Sequence, residues 1–457
     1  MRAYKNKLAR EGKLIEIERD VASEYEVAAL CAKVEQKGAP IFFHAVDGTH
    51  KVIMNVLGGR EILAELLGTT STNLAHFLAA LSESGDQERS KGNIVIVEDS
   101  AAKEVVKEPD LGELPVLTHF NGDSGAYITG GVVVAELDGV SNASFHRMLV
   151  LDKKRVAARL VPSRHLFNMH REALERGEYL KVGIAIGVDP LILLAAATRV
   201  PPGKEFEYAT ALKKERVELF KLDNGIAIPH AEIAFEGFIG EERAEEGPFL
   251  DITGTYDKIR EAPVITLTKM YHRRDPIYHA ILPSGREHRL LMGLPYEPLI
   301  FRAVERVARV RNVFLTDGGC CYLHAVVQIR KTEEGEAKNA IVAAFAAHPS
   351  LKHVIIVDDD IDLFDPNRVE YAVATRVRWN EDVVLIPGVK GSSLDPSSQN
   401  GLTTKIGIDA TMELGAAAKK YERVIHKHKV TTQVQSSGVH DSRLENDDHK
   451  PVQENKS

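Results

Sequence analysis

Apolar positions along this chain follow three rhythms. Up to about Leu111 they switch between helical and strand spacing: Glu24–Gln36 (EYEVAALCAKVEQ) repeats as an amphipathic helix, PIFFHAV and KVIMNVLGG are short strand-like runs, EILAELLG is helical, and NIVIVED (Asn93–Asp99) has the length of a buried strand. That alternation predicts an α/β layer. From Pro115 to Leu294 strand-like runs dominate, among them YITGGVVVAEL, RMLVLD, RVAARLV, KVGIAIGV, GIAIPHAEIAFEGFI, PVITLTKMYH and PIYHAIL, with Gly, Pro and Asp between them. Two clear helices interrupt, HLFNMHREALERG and LILLAAAT; many short strands with few helices predict a barrel-like sheet. From Tyr296 helix and strand alternate again (EPLIFRAVERVARV, HAVVQIRK, AKNAIVAAFAAH, HVIIVDDD), and Asp409–Ile425 reads as a closing helix. After Val430 too few apolar residues remain to build a core, which predicts a disordered tail. The expected division is 1–112, 113–295, 296–428 and a tail of 429–457.

Composition narrows the function classes. The 457 residues are 44% hydrophobic and 27% charged with a formal net charge of −8, which argues against a nucleic-acid backbone as partner. Cys31, Cys320 and Cys321 are too few and wrongly spaced for a disulfide framework or a C-x-x-C site; they read as buried thiols in a reducing cytoplasm. The charged N-terminus has no apolar core of a signal peptide. The most apolar stretch, Val182–Val200, is broken by Asp189 and Pro190. It therefore lacks the ~18 uninterrupted apolar residues of a membrane span and predicts a strand followed by a helix.

Several motif fragments fail on their missing halves. His230-Ala-Glu232 matches half of a zinc-deaminase signature whose P-C-x-x-C half is absent. Asp358, Asp360 and Asp362 begin like a calcium loop, but Leu363 stands where glycine is needed and Val369 where the closing Glu belongs; they read as aspartates solvating a turn or capping a helix. Neither G-x-G-x-x-G nor a Walker loop occurs, and no H-E-x-x-H supports a metal hydrolase.

Three stretches carry groups able to do chemistry: SNASFHRML with Asn142 and Arg147, RLVPSRHL with Arg164 and His165, and EEGPFLDITGTYD with Glu246 and Asp251 around a Gly-Pro turn. Each alone has a structural explanation. In their order, and with LPVLTHFNGDSGAYITGGVVV, PHAEIAFEG, VIIVDDDID, VATRVRW and TTKIGIDAT, they resemble the UbiD family of decarboxylases from about residue 10 to about 425. Leu250 stands where that family usually has Gly, and Asp251 where many members carry Glu.

The resemblance implies an α/β (α+β) fold with a central split β-barrel holding prenylated FMN between two α/β domains, the C-terminal one oligomerising. It implies a metal site of Asn142, His165 and Glu205 (Glu207 as the alternative) for Mn2+ or Mg2+, with K+ nearby; one carboxylate among neutral ligands suits a hard cation that anchors the flavin phosphate. Ser144, Phe145, His146, Arg147, Arg164 and His165 would bind the flavin. Decarboxylation leaves electrons on carbon that no side chain can hold, so the flavin supplies the sink. Arg147 would grip the substrate carboxylate by paired hydrogen bonds, Glu246 would pair with Arg147, and Asp251 would deliver the proton. The loop sequences look like archaeal members, which points to a phosphorylated α,β-unsaturated acid, trans-anhydromevalonate 5-phosphate, converted to isopentenyl phosphate. Lys269, Arg273 and Arg274 are then candidates for its phosphate. The alternative substrate is an aromatic acid of the 4-hydroxy-3-polyprenylbenzoate type. A prenyl-flavin synthase would supply the cofactor, and the assembly would be a homo-oligomer.

Overall fold

The structure is a computed structural model that describes residues 1–83, 93–162, 164–415 and 420–421. Near the N-terminus, strands Ile15–Val21, Ile41–Val46 and His50–Met54 form a sheet completed by Ile277–His279 from far along the chain. Helix Glu26–Val34 lies against it because Val27, Ala28 and Cys31 fall on one face and are fully buried. NIVIVED departs from expectation. Its strand, Ile94–Val97, is the edge of a small sheet with Val217–Lys221 and Ala227–Pro229, and Ile96 is 50% exposed.

The middle segment builds a nine-stranded sheet, as its run of strands predicted. Its order is Tyr127–Ile128, Met148–Val150, Arg155–Ala158, Arg260–His272, Ile233–Glu246, Leu180–Ile186, Gly131–Leu137 and Val140–Phe145, with Val105–Lys107 pairing to the 260–272 strand. Every pairing is antiparallel. The long 233–246/260–272 hairpin is its spine. One set of side chains, including Ile233, Phe235, Ile239, Ile265, Leu267 and Met270, shares a core with the N-terminal sheet. Burying each such side chain contributes about 1.5–3 kcal/mol. Val182–Val200 divides as expected into strand Leu180–Ile186 and helix Pro190–Ala197, which Asp189 caps by accepting the Leu191 N–H at 2.9 Å. Two further helices, Glu205–Lys213 and Arg286–Gly293, escaped the pattern reading. The first is buried on nearly all sides, including Glu205 and Glu207, so no polar face marks its period.

The C-terminal sheet runs Val310–Leu315, His324–Ile329, His353–Asp358, Leu402–Ala410, Val383–Lys390, flanked by helices Glu297–Glu305, Glu336–Ala347 and Pro366–Arg376. The closing helix is corrected at its start: Asp409 and Ala410 end a strand and 411–413 are not helical. TTKIGIDAT is a strand because it packs on helix 336–347. A Cβ on Gly407 would lie 2.1 Å from Ile341 Cγ2, so only glycine permits that approach. The tail of 429–457 lies outside the described residues. Among the described residues no helix is long and apolar enough to cross a membrane.

Candidate active site

The hairpin spine sets Glu246 opposite Arg260. Beyond it the chain turns at Gly247, whose φ of +100° and closeness to Lys258 O, 3.0 Å from a would-be Cβ, demand glycine. A small hairpin follows, pairing Phe249–Leu250 with Tyr256–Asp257, and Asp251 opens its turn with N–H to Thr255 O at 3.1 Å. Arg147 reaches this turn from the break between strands 140–145 and 148–150. It donates Nε to Glu246 Oε1 (2.7 Å), Nη2 to Glu246 Oε2 (3.1 Å) and Asp257 Oδ2 (2.9 Å), and Nη1 to Asp251 Oδ2 (3.1 Å). Phe249 lies beneath the guanidinium, 4.7 Å from ring centroid to Cζ. Tyr127 donates to Glu246 Oε1 at 3.3 Å and accepts the Gly247 N–H.

Arginine has five N–H donors, and four are taken here. The paired grip on a substrate carboxylate expected of Arg147 is therefore not available in this arrangement. One Nη1 proton remains, and Arg147 acts as the hub that holds three carboxylates. Asp257 was not singled out in the sequence. It bridges Arg147 to Arg260, whose Nη1 and Nη2 each reach it at 2.6 Å. Burial works to raise its pKa, but Arg260 and Arg147 overcome that and hold it at about 2. His288 on helix 286–293 was also missed. Burial pulls its pKa down against the opposing charge of Asp251, and its Nδ1 accepts the Ser284 N–H at 3.1 Å, which leaves Nε2 with the proton. No motif or spacing in the sequence marks either residue.

A second group lies along strand 140–145. His146 Nδ1 donates to Arg159 O at 2.9 Å, so Nε2 accepts from Ser144 Oγ at 2.9 Å. Ser144 Oγ in turn accepts Asn142 Nδ2 at 2.8 Å. Burial lowers His146 to about 4 and keeps it neutral, so this relay is stable near neutral pH. With Nδ2 committed, Asn142 Oδ1 is the atom free to meet a cation. Glu205 Oε1 lies 3.7 Å from His165 Nδ1. Burial pushes Glu205 up to about 7, although its own backbone N–H and that of Ala143 pull it down. Among the described residues Glu205 has no Lys or Arg partner, whereas Glu207 is paired with Lys204 at 2.7 Å. An amide oxygen, an imidazole and a buried carboxylate without a basic side chain beside it form a donor set that fits a divalent metal. Among the described residues no three His, Cys, Asp or Glu side chains gather for a metal.

Arg164 precedes helix 165–175 and points to Tyr296 OH at 3.5 Å, while Arg199 stacks on the Tyr296 ring. Arg159 adjoins Arg147 through a backbone hydrogen bond of 3.1 Å. Its half-buried guanidinium donates to Leu160 O and forms no ion pair among the described residues; burial, then Arg260 and Arg147, lower its pKa. The Lys269–Arg274 run is not part of this site. Lys269 faces Glu236, nine positions along the strand from the Glu246–Arg260 pair, which is on the order of 30 Å at ~3.4 Å per residue. Lys269 is bonded to Asp223, and Arg274 is exposed. His230 and Glu232 are structural: His230 Nδ1 pairs with Ser100 Oγ at 2.8 Å, and Glu232 binds Arg2 at 2.6 Å.

The family profile of the 3-octaprenyl-4-hydroxybenzoate carboxy-lyase Rift-related domain matches residues 95–286, with the corresponding N-terminal and C-terminal domains at 6–82 and 289–410. The chain belongs to the UbiD family of carboxy-lyases. It is 52% identical over 427 residues to the anhydromevalonate phosphate decarboxylase of Methanosarcina mazei, covering 93% of this chain and 98% of that one. The enzyme of the same name from Archaeoglobus fulgidus is 46% identical, over 90% of this chain and 93% of its own. Among solved structures, the UbiD-class enzyme HmfF from Pelotomaculum thermopropionicum in complex with FMN is similar with a TM-score of 0.86 and 36% identity, over 93% of this chain and 96% of that one. An evolved dimeric form of HmfF in complex with prFMN gives a TM-score of 0.82 and 35% identity, over the same shares of each chain.

Proposed function

We propose that this protein is a prenylated-FMN-dependent decarboxylase that converts trans-anhydromevalonate 5-phosphate to isopentenyl phosphate and CO2. The observation that carries the reading is the Arg147–Glu246–Asp251–Asp257 cluster, in a chain 52% identical to an anhydromevalonate phosphate decarboxylase. The prenylated flavin, when bound, supplies the electron sink for the carbon–carbon bond that breaks. Asn142, His165 and Glu205 would hold Mn2+ or Mg2+, with K+ as a further ion, and would fix the flavin phosphate together with Ser144, Phe145, His146 and Arg164. Glu246 fixes the guanidinium plane of Arg147. Arg147 holds Asp251 in place and offers its remaining N–H to the substrate carboxylate. Asp251 in its acid form delivers a proton to the carbon that has lost CO2, and solvent returns one to Asp251.

Arg159 takes the role that Lys269, Arg273 and Arg274 are too far away to fill. It is a cation beside Arg147 that forms no ion pair among the described residues, and it would receive the substrate phosphate. Removing the phosphate from the substrate, or changing Arg159 to Gln, costs at least about tenfold in kcat/KM, the scale of one charged hydrogen bond.

The working organisation is the one read from the sequence: 1–112, 113–295 carrying the flavin, 296–428, and a dispensable tail of 429–457. The chain works in the cytoplasm as a homo-oligomer and receives its cofactor from a prenyl-flavin synthase. The oligomer contact falls on the C-terminal sheet, where Leu385 on the edge strand 383–390, Leu402 and Trp379 are exposed. Light scattering that finds only monomer at micromolar concentration refutes that contact. The deciding experiment for function is CO2 release by protein co-produced with a prenyl-flavin synthase, offered the phosphorylated acid and hydroxybenzoates side by side. Preference for the aromatic acids overturns the substrate and leaves the decarboxylase.

A further inference from the structure

A carboxylate that works as a proton donor disturbs its own surroundings. Each time Asp251 changes protonation state, the charge at one of the four contacts on Arg147 changes. Two of the other three come from Glu246, on the far side of the Gly247–Pro248 turn. The last comes from Asp257, which lies on the same small hairpin as Asp251, two residues beyond the end of its 251–255 turn. Asp257 is itself fixed from three directions: Arg260 through both carboxylate oxygens, Arg147 through Oδ2, and the Lys258 N–H to Oδ1 at 2.8 Å. Its side chain is 9% exposed. Its neighbour Tyr256 accepts the Gly122 N–H at 3.1 Å and ties the other face of the hairpin down.

We propose that Asp257, clamped by Arg260, is a positioning residue that keeps Arg147 and the Asp251 turn in register while Asp251 passes through its acid and base forms. Because Arg260 and Arg147 keep Asp257 ionised throughout, its hold does not change when that of Asp251 does. The inference rests on Asp251 being the proton donor, as proposed above.

The charged and titratable groups around Asp251 set what the test reads. Arg147 touches it directly. Glu246 and Asp257 reach it through Arg147, and Arg260 and Arg159 stand behind them. His288 faces it from helix 286–293, with Glu287 and Arg289 beyond. Asp123 lies on the side of Leu250 and Arg147. Among these, Asp257→Asn removes one negative charge and Arg260→Gln removes one positive charge. The two variants therefore move the alkaline limb of kcat/KM, which reports loss of the acid form, in opposite directions: to lower pH for Asp257→Asn and to higher pH for Arg260→Gln.

Asp257→Asn is expected to lower kcat about tenfold or more with KM changed less than about threefold, and Asp257→Glu to restore most of the loss. Limbs that coincide with wild type, or that move the same way in both variants, overturn the proposal. Crystal structures of the flavin-free protein provide a reading independent of turnover. Arg147 keeps its place in Asp251→Asn and is displaced in Asp251→Asn/Asp257→Asn; an Arg147 that stays put in both refutes the clamp. If another acid proves to be the substrate, the kinetics are run with that acid, so the substrate reading can fail while this one stands. If no acid releases CO2, the crystal structures decide.

Discussion

Arg147 and Arg376 are both buried guanidiniums ringed by carboxylates, yet they differ in what the ring can do. Arg376 closes on Asp358 (2.8 Å) and Asp360 (2.6 and 3.0 Å) at the end of one strand, and the Met412 N–H also binds Asp358. Burial, and behind it the charge of Asp360, raises Asp358 to about 6 in spite of the Met412 N–H and Arg376. Around Arg147 the carboxylates come from a strand end, a turn and a separate short strand. Asp251 sits at the turn with His288 opposite. A buried ion cluster is thus no sign of chemistry in itself. What distinguishes the candidate site is that its three carboxylates come from separate elements, one of them a turn that faces His288.

The sharpest way to break the comparison is to remove each centre in turn. Arg376→Ala leaves two carboxylates without their cation and is expected to cost about 3–5 kcal/mol of stability, read by urea unfolding, with kcat of the folded fraction unchanged. A matching loss of kcat would mean that the Arg376 cluster is not merely structural. Next in size is Asp251→Asn, which keeps shape but removes the titratable proton. It should slow CO2 release by about 100-fold while flavin binding, read from the visible spectrum, is retained. Near-normal turnover would shift the proton donor to Glu246.

His165→Ala addresses the second cradle. Metal and flavin should be lost together, measured by elemental analysis and absorbance of the purified protein; full occupancy of both would remove His165 from the metal site. A smaller effect concerns pH. Asp257 is depressed from its ordinary value of 3.8 to about 2, so its contribution is present above pH 3.8 and fades as pH falls towards 2. Asp257→Asn should therefore cost about 1–2 kcal/mol at pH 7, allowing for partial solvent screening, and visibly less at pH 3. The smallest effect belongs to the other end of the hairpin. Lys269→Ala should leave kcat/KM within about twofold, since its partners Asp223 and Glu236 are remote from Arg147. A tenfold loss would return the phosphate to the Lys269–Arg274 run.

Much of this was legible without coordinates. Short apolar runs punctuated by Gly, Pro and Asp marked the strands of the central sheet, the Asp189-Pro190 pair marked where a strand gives way to a helix, and the order of the motifs around Asn142, Arg147, His165, Glu246 and Asp251 marked the family. Those signals are local, written in spacing and residue type, and need no knowledge of what packs on what. Helix 205–213 was not legible because burial on nearly all sides erases amphipathic contrast, and the end of TTKIGIDAT reads as helix because its pairing partners lie 25 and 53 residues away. The tertiary structure alone decided which charges meet. Lys269 and Arg260 are both basic residues on one strand, but hairpin register carries one to Glu236 and the other to Glu246. Asp257 meets Arg147 only because a glycine turn and a two-residue pairing bring it back onto that side chain, 110 residues earlier in the chain. Periodicity records which face of an element is buried; which side chains share that burial depends on register and closure, which are properties of the folded chain.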